Sequence, residues 1–179
     1  DSYSLALERF KPECCIHLAW GGLPDYSFSK SRENLVASLD LFEVLGRAGC
    51  KTIFAAGTCW EYGNLAGQAN EDKQGRDLKM FAAFKSALQT MGRSIVTPHG
   101  CRLMWGRIFF VYGPGQRTTS LIPSCHRALL HERSAPRVSN PLAVNDFVHV
   151  DDTCAAIKVL IEGAGASGIY NIGSGHPVA

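Results

Sequence analysis

The sequence of 179 residues lacks several features that mark common classes of protein. It has no apolar run near the roughly 20 residues that span a bilayer, and its first ten residues carry neither the basic nor the apolar region of a secretory signal. Lys and Arg outnumber Asp and Glu only 18 to 16, and no segment gathers the basic residues into a stripe. We therefore predict a cytoplasmic protein that binds neither a membrane nor nucleic acid.

Cysteine pairs and histidine clusters are missing too. The seven cysteines are scattered without a C-x-x-C pair, and the six histidines form no H-x-x-x-H cluster. This spacing disfavours a disulfide framework and a structural zinc site. We assign no metal, and we interpret His17 and His149, which lie in strand-like segments, as hydrogen-bonded structural residues.

A G-x-G-x-x-G turn is also absent. In a dinucleotide-binding fold, that turn follows the first strand and binds the pyrophosphate. The chain starts without methionine on a helix-like segment. We therefore expect at least one further βαβ unit, about 30 residues or more, before Asp1.

What the sequence does contain is an alternation of strand-like and helix-like segments. Apolar runs at 14–19 and 51–57, each followed or closed by glycine, are typical of buried parallel strands. The segment between them has helical periodicity, with Ser31 as a candidate N-cap and Gly49 as a terminator. A second helix is predicted at about 78–92, and 101–113 supplies a third strand. This order predicts an α/β, Rossmann-like, doubly wound parallel sheet whose N-terminal βαβ part is missing.

The character of the sequence changes at Pro114. Turn-forming residues lead to a short helix at 120–132, a strand at 144–150, a helix that starts near Asp151 and Asp152, and a strand within 168–175. We predict a partial NAD(P)-binding Rossmann domain at 1–115 and a partial substrate-binding region at 116–179, interleaved with the Rossmann sheet. We interpret Trp105, Phe109 and Phe110 as core residues and not as a stacking platform.

Six motifs, in order and with matching spacing, resemble the extended short-chain dehydrogenase/reductase family of nucleotide-sugar epimerases and dehydratases. They are IHLAW (16–20), AGTCWEYG (56–63), the Lys85 helix, VYGPGQ (111–116), DFVHVDD (146–152) and YNIGSG (170–175). Each is weak alone, but six over almost the whole chain are specific. The resemblance implies a Rossmann domain that binds NAD or NADP and a smaller C-terminal region that covers a nucleotide-linked sugar.

The resemblance also implies a homodimer. In the family, the helix that contains Asn34 and the helix that contains Lys85 commonly pair with their copies in a second subunit. We expect four apolar positions to face that interface, namely Leu39, Phe42, Leu88 and Met91.

Family members use a Ser or Thr, a Tyr and a Lys as catalytic residues. Thr58 falls on the first position, where its hydroxyl would bond the reacting sugar oxygen, although a threonine there also commonly caps a loop. Lys85 falls on the lysine that holds the nicotinamide ribose and lowers the pKa of the tyrosine. Phe81 stands at the tyrosine position, and a phenyl ring cannot transfer a proton. Either an active enzyme was altered, or this is a natural non-catalytic relative, or another group such as Tyr26 or Cys59 supplies the proton.

Further residues are carried over from the family pattern. The cofactor set is Leu18, Ala19, Trp20, Asn34, Ala56 and Lys85, and the substrate set is Thr58, Cys59, Trp60, Arg117 and Asn145. Cys59 and Trp60 replace the Asp and Glu of the family's dehydratases, which disfavours dehydration. Asn145 replaces an arginine that grips the substrate phosphates, so Arg117 or Arg137 would substitute, unless both are ordinary surface residues or the substrate carries no diphosphate.

Two functions are therefore open. The first is an NAD(P)-dependent epimerase or ketoreductase that acts on a nucleotide-linked sugar. The alternative is a relative that binds cofactor or sugar nucleotide without turnover. The loss of the expected arginine at Asn145, together with the loss of the tyrosine at Phe81, favours natural divergence over an introduced change.

Overall fold

The structure, a computed structural model, describes residues 2–65, 67–132, 135, 138, 140–163 and 165–179. Its helices are α1 Ser2–Phe10, α2 Phe28–Arg47, α3 Met80–Val96, α4 Leu121–Arg127 and α5 Val150–Glu162. Its strands are β1 Cys14–His17, β2 Thr52–Thr58, β3 Arg102–Ile108, β4 Phe110–Tyr112, β5 Asn145–His149, β6 Gly168–Ile172 and β7 Pro177–Val178.

Four of these strands form a parallel sheet in the order β1-β2-β3-β6. Helices α2 and α3 cover one face, where Phe42 and Leu88 pack with Ile53 and Trp105. On the other face, Ile157 of α5 packs in a separate cluster with strand residues. Burial on both faces applies to the central strands β2 and β3, and the parallel order with helices on either side confirms the predicted α/β doubly wound sheet. Strand β1 is parallel as predicted, but its prediction as a buried strand is wrong, because it lies at the edge of the described sheet, where Cys14 and Ile16 are exposed.

Two of the four side chains assigned to a dimer interface instead belong to this core. Phe42 and Leu88 are fully buried within the chain, so their assignment to an outer surface is wrong. The reason is that α2 and α3 pack against each other as well as on the sheet, which turns these positions inward. Met91 remains exposed, and the homodimer itself stays a prediction.

Helix α2 starts earlier than its sequence pattern indicates. Its N-cap is Ser27, whose hydroxyl accepts a hydrogen bond from the Lys30 backbone amide at 3.3 Å. Ser31, the predicted cap, lies buried inside the helix. The predicted end is confirmed, since α2 stops at Arg47 and Gly49 has a φ of +82°.

Helix α3 ends later than predicted, at Val96. Gly92 does not terminate it, because this glycine makes room for the neighbouring helix. A Cβ atom at position 92 would lie 2.7 Å from the ring of Phe42.

The segment 101–113, predicted as one strand, is divided between two sheets. Strand β3 ends at Ile108, and the amide of Phe109 donates to the carbonyl of Ile172 at 2.9 Å. Strand β4 then pairs with β5 in a small sheet that also contains β7. The change of sheet directs Phe109 and Phe110 to a different surface from Trp105.

The histidine predictions are confirmed. His17 is buried, and its Nε2 lies 2.9 Å from Ser38 Oγ. His149 caps α5, where it accepts a hydrogen bond from the amide of Asp151 at 3.3 Å. Burial is the larger cause and repulsion from the Lys85 charge the smaller cause that lower the pKa of His17 from 6.5 to about 4.

We expect His17 to make the fold sensitive to acid. Because the unfolded chain binds the extra proton between pH 6.5 and about 4, stability falls as the pH falls through that window. The loss should reach about 2 kcal/mol at pH 5. Urea unfolding of the full-length protein at pH 7 and pH 5 measures it, and His17→Gln should remove most of the difference. The exposed control His99→Gln should keep the natural difference in unfolding free energy between pH 7 and pH 5. If His17→Gln keeps that difference as well, this assignment is contradicted.

Candidate active site

The predicted site residues meet where the parallel strands end. Trp20 lies three residues after β1, Thr58 is the last residue of β2, and α3 presents Phe81 and Lys85. The carboxyl edge of a parallel sheet is the usual place for ligands in this architecture, because loops diverge there and leave a crevice.

Lys85 is a buried cation at this edge. Its side chain is buried, its Nζ donates to the Ala56 carbonyl at 2.7 Å, and Nζ lies 4.2 Å from the centroid of the Trp20 ring. Burial lowers the pKa of Lys85 to about 8, and the Glu61 carboxylate acts in the opposite direction. Lys85 thus lies beside Ala56 of β2 and Trp20 after β1, and its role toward the nicotinamide ribose stays a prediction.

Thr58 begins a short 3₁₀ turn, Cys59–Tyr62, through a capping box. Its Oγ1 accepts a hydrogen bond from the Trp60 amide at 3.3 Å, and Glu61 Oε1 accepts one from the Thr58 amide at 2.8 Å. Thr58 thus performs the loop-capping role that the sequence left open, and its side chain also lines the cavity described below.

Glu61 was missed by the sequence reasoning. It is buried, it accepts hydrogen bonds from the Trp105 indole at 3.1 and 3.0 Å, and it lies 3.5 Å from Arg107 Nε. Burial raises the pKa of Glu61, while these donors and the Thr58 amide lower it. The T-x-x-E spacing from Thr58 to Glu61 is the capping-box signal that would have found it.

Phe81 belongs to an aromatic cluster of Trp20, Tyr26, Trp60 and Phe81. The Phe81 ring centroid lies 5.5 Å from that of Trp20, 5.2 Å from that of Tyr26 and 5.8 Å from that of Trp60. These separations are typical of edge-to-face and tilted aromatic packing. The ring expected of a catalytic tyrosine is therefore present at position 81, but it carries no hydroxyl.

Asn34 shapes the loop that follows β1. Its Nδ2 donates to the carbonyls of Gly21 at 3.0 Å and Lys30 at 2.8 Å, and its Oδ1 accepts from the Gly21 amide at 2.6 Å. Asn34 therefore anchors this loop, and its place in the cofactor set stays a prediction. Leu18 and Ala19, also in the predicted cofactor set, are exposed just before it.

A cavity of about 590 Å³ opens beside the aromatic cluster. Four of the five predicted substrate residues line it: Thr58, Cys59, Trp60 and Asn145. Arg117 does not line it, and its Nη2 instead donates to the Leu23 carbonyl at 3.1 Å. Arg137 lies outside the described residues.

Phe109 and Phe110 also line this cavity, so their interpretation as core residues is wrong. They are half-buried because the chain leaves the main sheet at Phe109. A second opening of about 1010 Å³ shares both phenylalanines and extends toward Asp146 and Asn171. Trp105, in contrast, is fully buried in the core as predicted.

Two buried polar atoms at this edge have no hydrogen-bond partner within the part of the chain that the structure describes. One is the indole nitrogen of Trp20, and the other is Oε1 of Gln116, which lines the cavity. The Nε2 of Gln116 is occupied, since it donates to the Val111 carbonyl at 2.9 Å. An unpaired buried donor and acceptor are costly, and each is satisfied if a ligand supplies its partner.

The chain resembles curated proteins that modify nucleotide sugars. It is 28% identical over 165 residues to dTDP-glucose 4,6-dehydratase of Streptomyces griseus, covering 89% of this chain and 50% of that protein. It is 26% identical to the probable UDP-glucuronate 4-epimerase of Rhizobium meliloti (strain 1021), covering 85% of this chain and 46% of that protein. The chain thus spans about half the length of these relatives.

Solved structures share the fold. The structure of MoeE5 in complex with UDP-glucuronic acid and NAD is 28% identical, with a TM-score of 0.83 over 99% of this chain and 62% of that chain. UDP-N-acetylglucosamine 4-epimerase from Bacillus cereus, at 21% identity, has a TM-score of 0.82 over 93% of this chain and 58% of that chain.

None of the helices in the described part of the chain combines the length and the apolar character needed to span a membrane.

The sequence model of one protein family matches residues 2–173, nearly the whole chain. The aligned segment includes the strand ends, the capping box around Thr58 and the helix that carries Phe81 and Lys85. The chain therefore belongs to the NAD dependent epimerase/dehydratase family.

Proposed function

We propose that the protein is an NAD(P)-dependent epimerase or ketoreductase that acts on a nucleotide-linked sugar. The observation that carries this proposal is the placement of a buried lysine, Lys85, over the Trp20 ring at the end of a parallel sheet, next to an apolar cavity. A buried lysine with no carboxylate in ion-pair contact among the described residues is costly for folding, and such groups concentrate at functional sites.

The residues at the ends of β1 and β2 fit a nicotinamide cofactor. Trp20 offers an indole N–H that has no partner among the described residues, and Lys85 uses one of its three donors on Ala56, which leaves others for ribose hydroxyls. Leu18 and Ala19 offer an exposed surface beside them. When bound, the oxidised cofactor would accept a hydride from a sugar alcohol, and the reduced cofactor would deliver one to a sugar ketone.

The cavity fits the sugar. Its aromatic walls suit the C–H faces of a pyranose ring, while Thr58 and Gln116 offer polar atoms for its hydroxyls. Thr58 retains a hydroxyl proton to donate, because its bond to the Trp60 amide uses only an acceptor site. In this role, Thr58 orients the oxygen of the reacting carbon.

The same cavity disfavours elimination of water. Cys59 and Trp60 stand where the resemblance places an acidic pair, and burial raises the pKa of Cys59 to about 11. A thiol that stays protonated is a poor base at neutral pH, and an indole is neither a useful acid nor a useful base. We therefore favour epimerase or ketoreductase chemistry over dehydration.

The alternative is a protein that binds cofactor or sugar nucleotide without turnover. The missing hydroxyl at Phe81 is the observation that favours it, because an absent proton relay typically costs 10²–10⁴ in rate. The division at residue 115, the homodimer and the choice of sugar also remain proposals.

A turnover assay of the full-length protein separates the two functions. The natural sequence and Phe81→Tyr would each be incubated with UDP- and dTDP-sugars in the presence of NAD(H) or NADP(H), and the products read by liquid chromatography and mass spectrometry. We expect an epimerised or reduced sugar nucleotide from at least one form. Cofactor binding with no product from either form would support the alternative.

A further inference from the structure

The cavity contains few groups that can carry a proton to a sugar oxygen. Among its described lining residues, hydroxyl or thiol hydrogens are found on Tyr26, Thr58, Cys59 and Ser120. Phe81, at the position expected to do this, has none. A phenol is a much stronger acid than the alcohols of serine and threonine. Burial raises the pKa of the Cys59 thiol to about 11, so this thiol gives up its proton less readily than an ordinary cysteine.

Tyr26 is the phenol in this set, and it lies against the ring that lacks one. Its ring centroid is 5.2 Å from that of Phe81 and 5.5 Å from that of Trp60, with both rings tilted relative to it. Tyr26 and Thr58 line the same cavity. A sugar bound there would therefore contact a phenol and a threonine hydroxyl, although the phenol comes from the β1–α2 loop and not from α3.

The hydroxyl of Tyr26 is free to act. Within the described part of the chain it makes no hydrogen bond, and 41% of the residue is exposed. An exposed phenol can regain a proton from water after giving one away. Its ring, in contrast, is held on two sides by the aromatic cluster.

The backbone on both sides of Tyr26 is fixed. Asp25 Oδ1 accepts a hydrogen bond from the Ser27 amide at 2.9 Å, and Ser27 caps α2. Farther back, Arg117 donates to the Leu23 carbonyl at 3.1 Å. A short loop anchored at three points can hold a side chain in the constant position that proton transfer needs.

We propose that Tyr26 supplies the proton that the residue at position 81 cannot. This inference rests on the proposed function. In the reductive direction, the O–H bond of Tyr26 breaks and its proton forms a new O–H bond on the sugar oxygen, while the carbonyl carbon gains the hydride of the reduced nicotinamide cofactor. Water then returns a proton to the Tyr26 phenolate. In the oxidative direction the steps are reversed, and the Tyr26 phenolate accepts the proton of the sugar hydroxyl.

The test is Tyr26→Phe in the full-length protein, with the sugar nucleotide that the natural sequence turns over. This change removes one oxygen and keeps the ring that packs on Phe81 and Trp60. We expect kcat to fall by a factor of about 100 to 10,000, with KM changed less than about threefold. Fluorescence titration should give unchanged affinities for NAD and for the sugar nucleotide. Tyr112→Phe, which removes a hydroxyl outside the cavity lining, is the matched control and should retain full activity.

The double variant Tyr26→Phe/Phe81→Tyr tests whether the two positions are interchangeable. We expect its kcat to be at least tenfold higher than that of Tyr26→Phe, because the phenol returns to the same cavity from the adjacent ring. Full kcat in Tyr26→Phe alone would overturn the proposal. The proposal would also be overturned if the natural sequence were inactive and only Phe81→Tyr turned over substrate, although that result would support the proposed function. Inactivity of both the natural sequence and Phe81→Tyr would contradict the proposed function, and the role of Tyr26 with it.

Discussion

Replacing Lys85 with methionine is expected to weaken cofactor binding and, at the same time, to stabilise the fold at pH 7. Methionine fills a similar volume but needs no hydration and no hydrogen-bond partner. With its pKa lowered from 10.5 to about 8, the lysine costs the folded protein up to about 3 kcal/mol near neutral pH. Loss of the bond to Ala56 and of the contact with Trp20 offsets part of that gain, so we expect a net increase of about 1–2 kcal/mol.

The cost of burying Lys85 also makes the stability of the fold depend on pH. Between about pH 8 and 10.5 the unfolded chain holds the Lys85 proton and the folded chain does not, so the natural protein gains stability as the pH rises through that window. Lys85→Met should lack this gain. Urea unfolding at pH 7 and pH 9.5 measures both effects, and Lys158→Met, at an exposed site, is the control.

The cost of Lys85→Met should appear in the cofactor. We expect its affinity for NAD to fall at least tenfold, because a charged donor to the ribose is lost. A variant that is destabilised at pH 7, or that binds NAD as tightly as the natural protein, would contradict the role given to Lys85.

The second large effect is expected at Glu61. Glu61→Ala removes the acceptor for the Thr58 amide and the Trp105 indole, and it leaves the buried Arg107 without its carboxylate. Breaking one side of a buried ion pair commonly costs 3–5 kcal/mol, and the lost hydrogen bonds act in the same direction. We expect the free energy of unfolding of Glu61→Ala to fall by about 4 kcal/mol, as measured by urea denaturation.

Two further variants show whether the loss comes from the charge. Glu61→Gln keeps one acceptor oxygen for the amide and the indole, but it loses the charge and turns an NH2 donor toward Arg107, so its cost should be about half as large. Glu43→Ala breaks an exposed pair with Arg47 at 3.5 Å and should change stability by less than about 0.5 kcal/mol. Equal losses in Glu61→Ala and Glu43→Ala would show that the Glu61 network does not stabilise the turn.

The main sheet could be predicted because its central strands, β2 and β3, are mostly buried and the edge strand β1 has an apolar sequence as well. Such strands are short continuous apolar runs, and the helix between β1 and β2 has a clear apolar periodicity. The change of sheet at Phe109 could not be predicted, since CRLMWGRIFFVYG is apolar apart from Arg102 and Arg107, and neither arginine marks the point where pairing changes partners.

Helix faces were harder to assign than helices. Periodicity shows that α2 and α3 each have an apolar stripe, but it does not show whether a residue at its edge meets the sheet, the other helix or a second subunit. Phe42 and Leu88 lie at such edges, and the close approach permitted by Gly92 turns Phe42 inward. The start of α2 was missed for a related reason, because Ser27 and Ser31 are both good caps and only the tertiary structure chooses between them.

The site residues that the motifs marked do converge. Thr58, Phe81 and Trp60 line one cavity, and Lys85 lies beside it over Trp20. Glu61 and Tyr26 were harder to weigh, because their importance comes from contacts between distant segments, such as Glu61 with Trp105 and Tyr26 with Phe81. Spacing along the chain cannot reveal such contacts.

We expect a nicotinamide cofactor to bind where β1 and β2 end, beside Trp20 and Lys85. This can be measured by titrating the full-length protein with NAD, and separately with NADP, while tryptophan fluorescence is recorded. We expect saturable quenching by at least one of the two, reduced by more than half in Trp20→Phe because that indole lies at the site. Absence of saturable quenching with both cofactors, or quenching that is the same in Trp20→Phe, would contradict the claim.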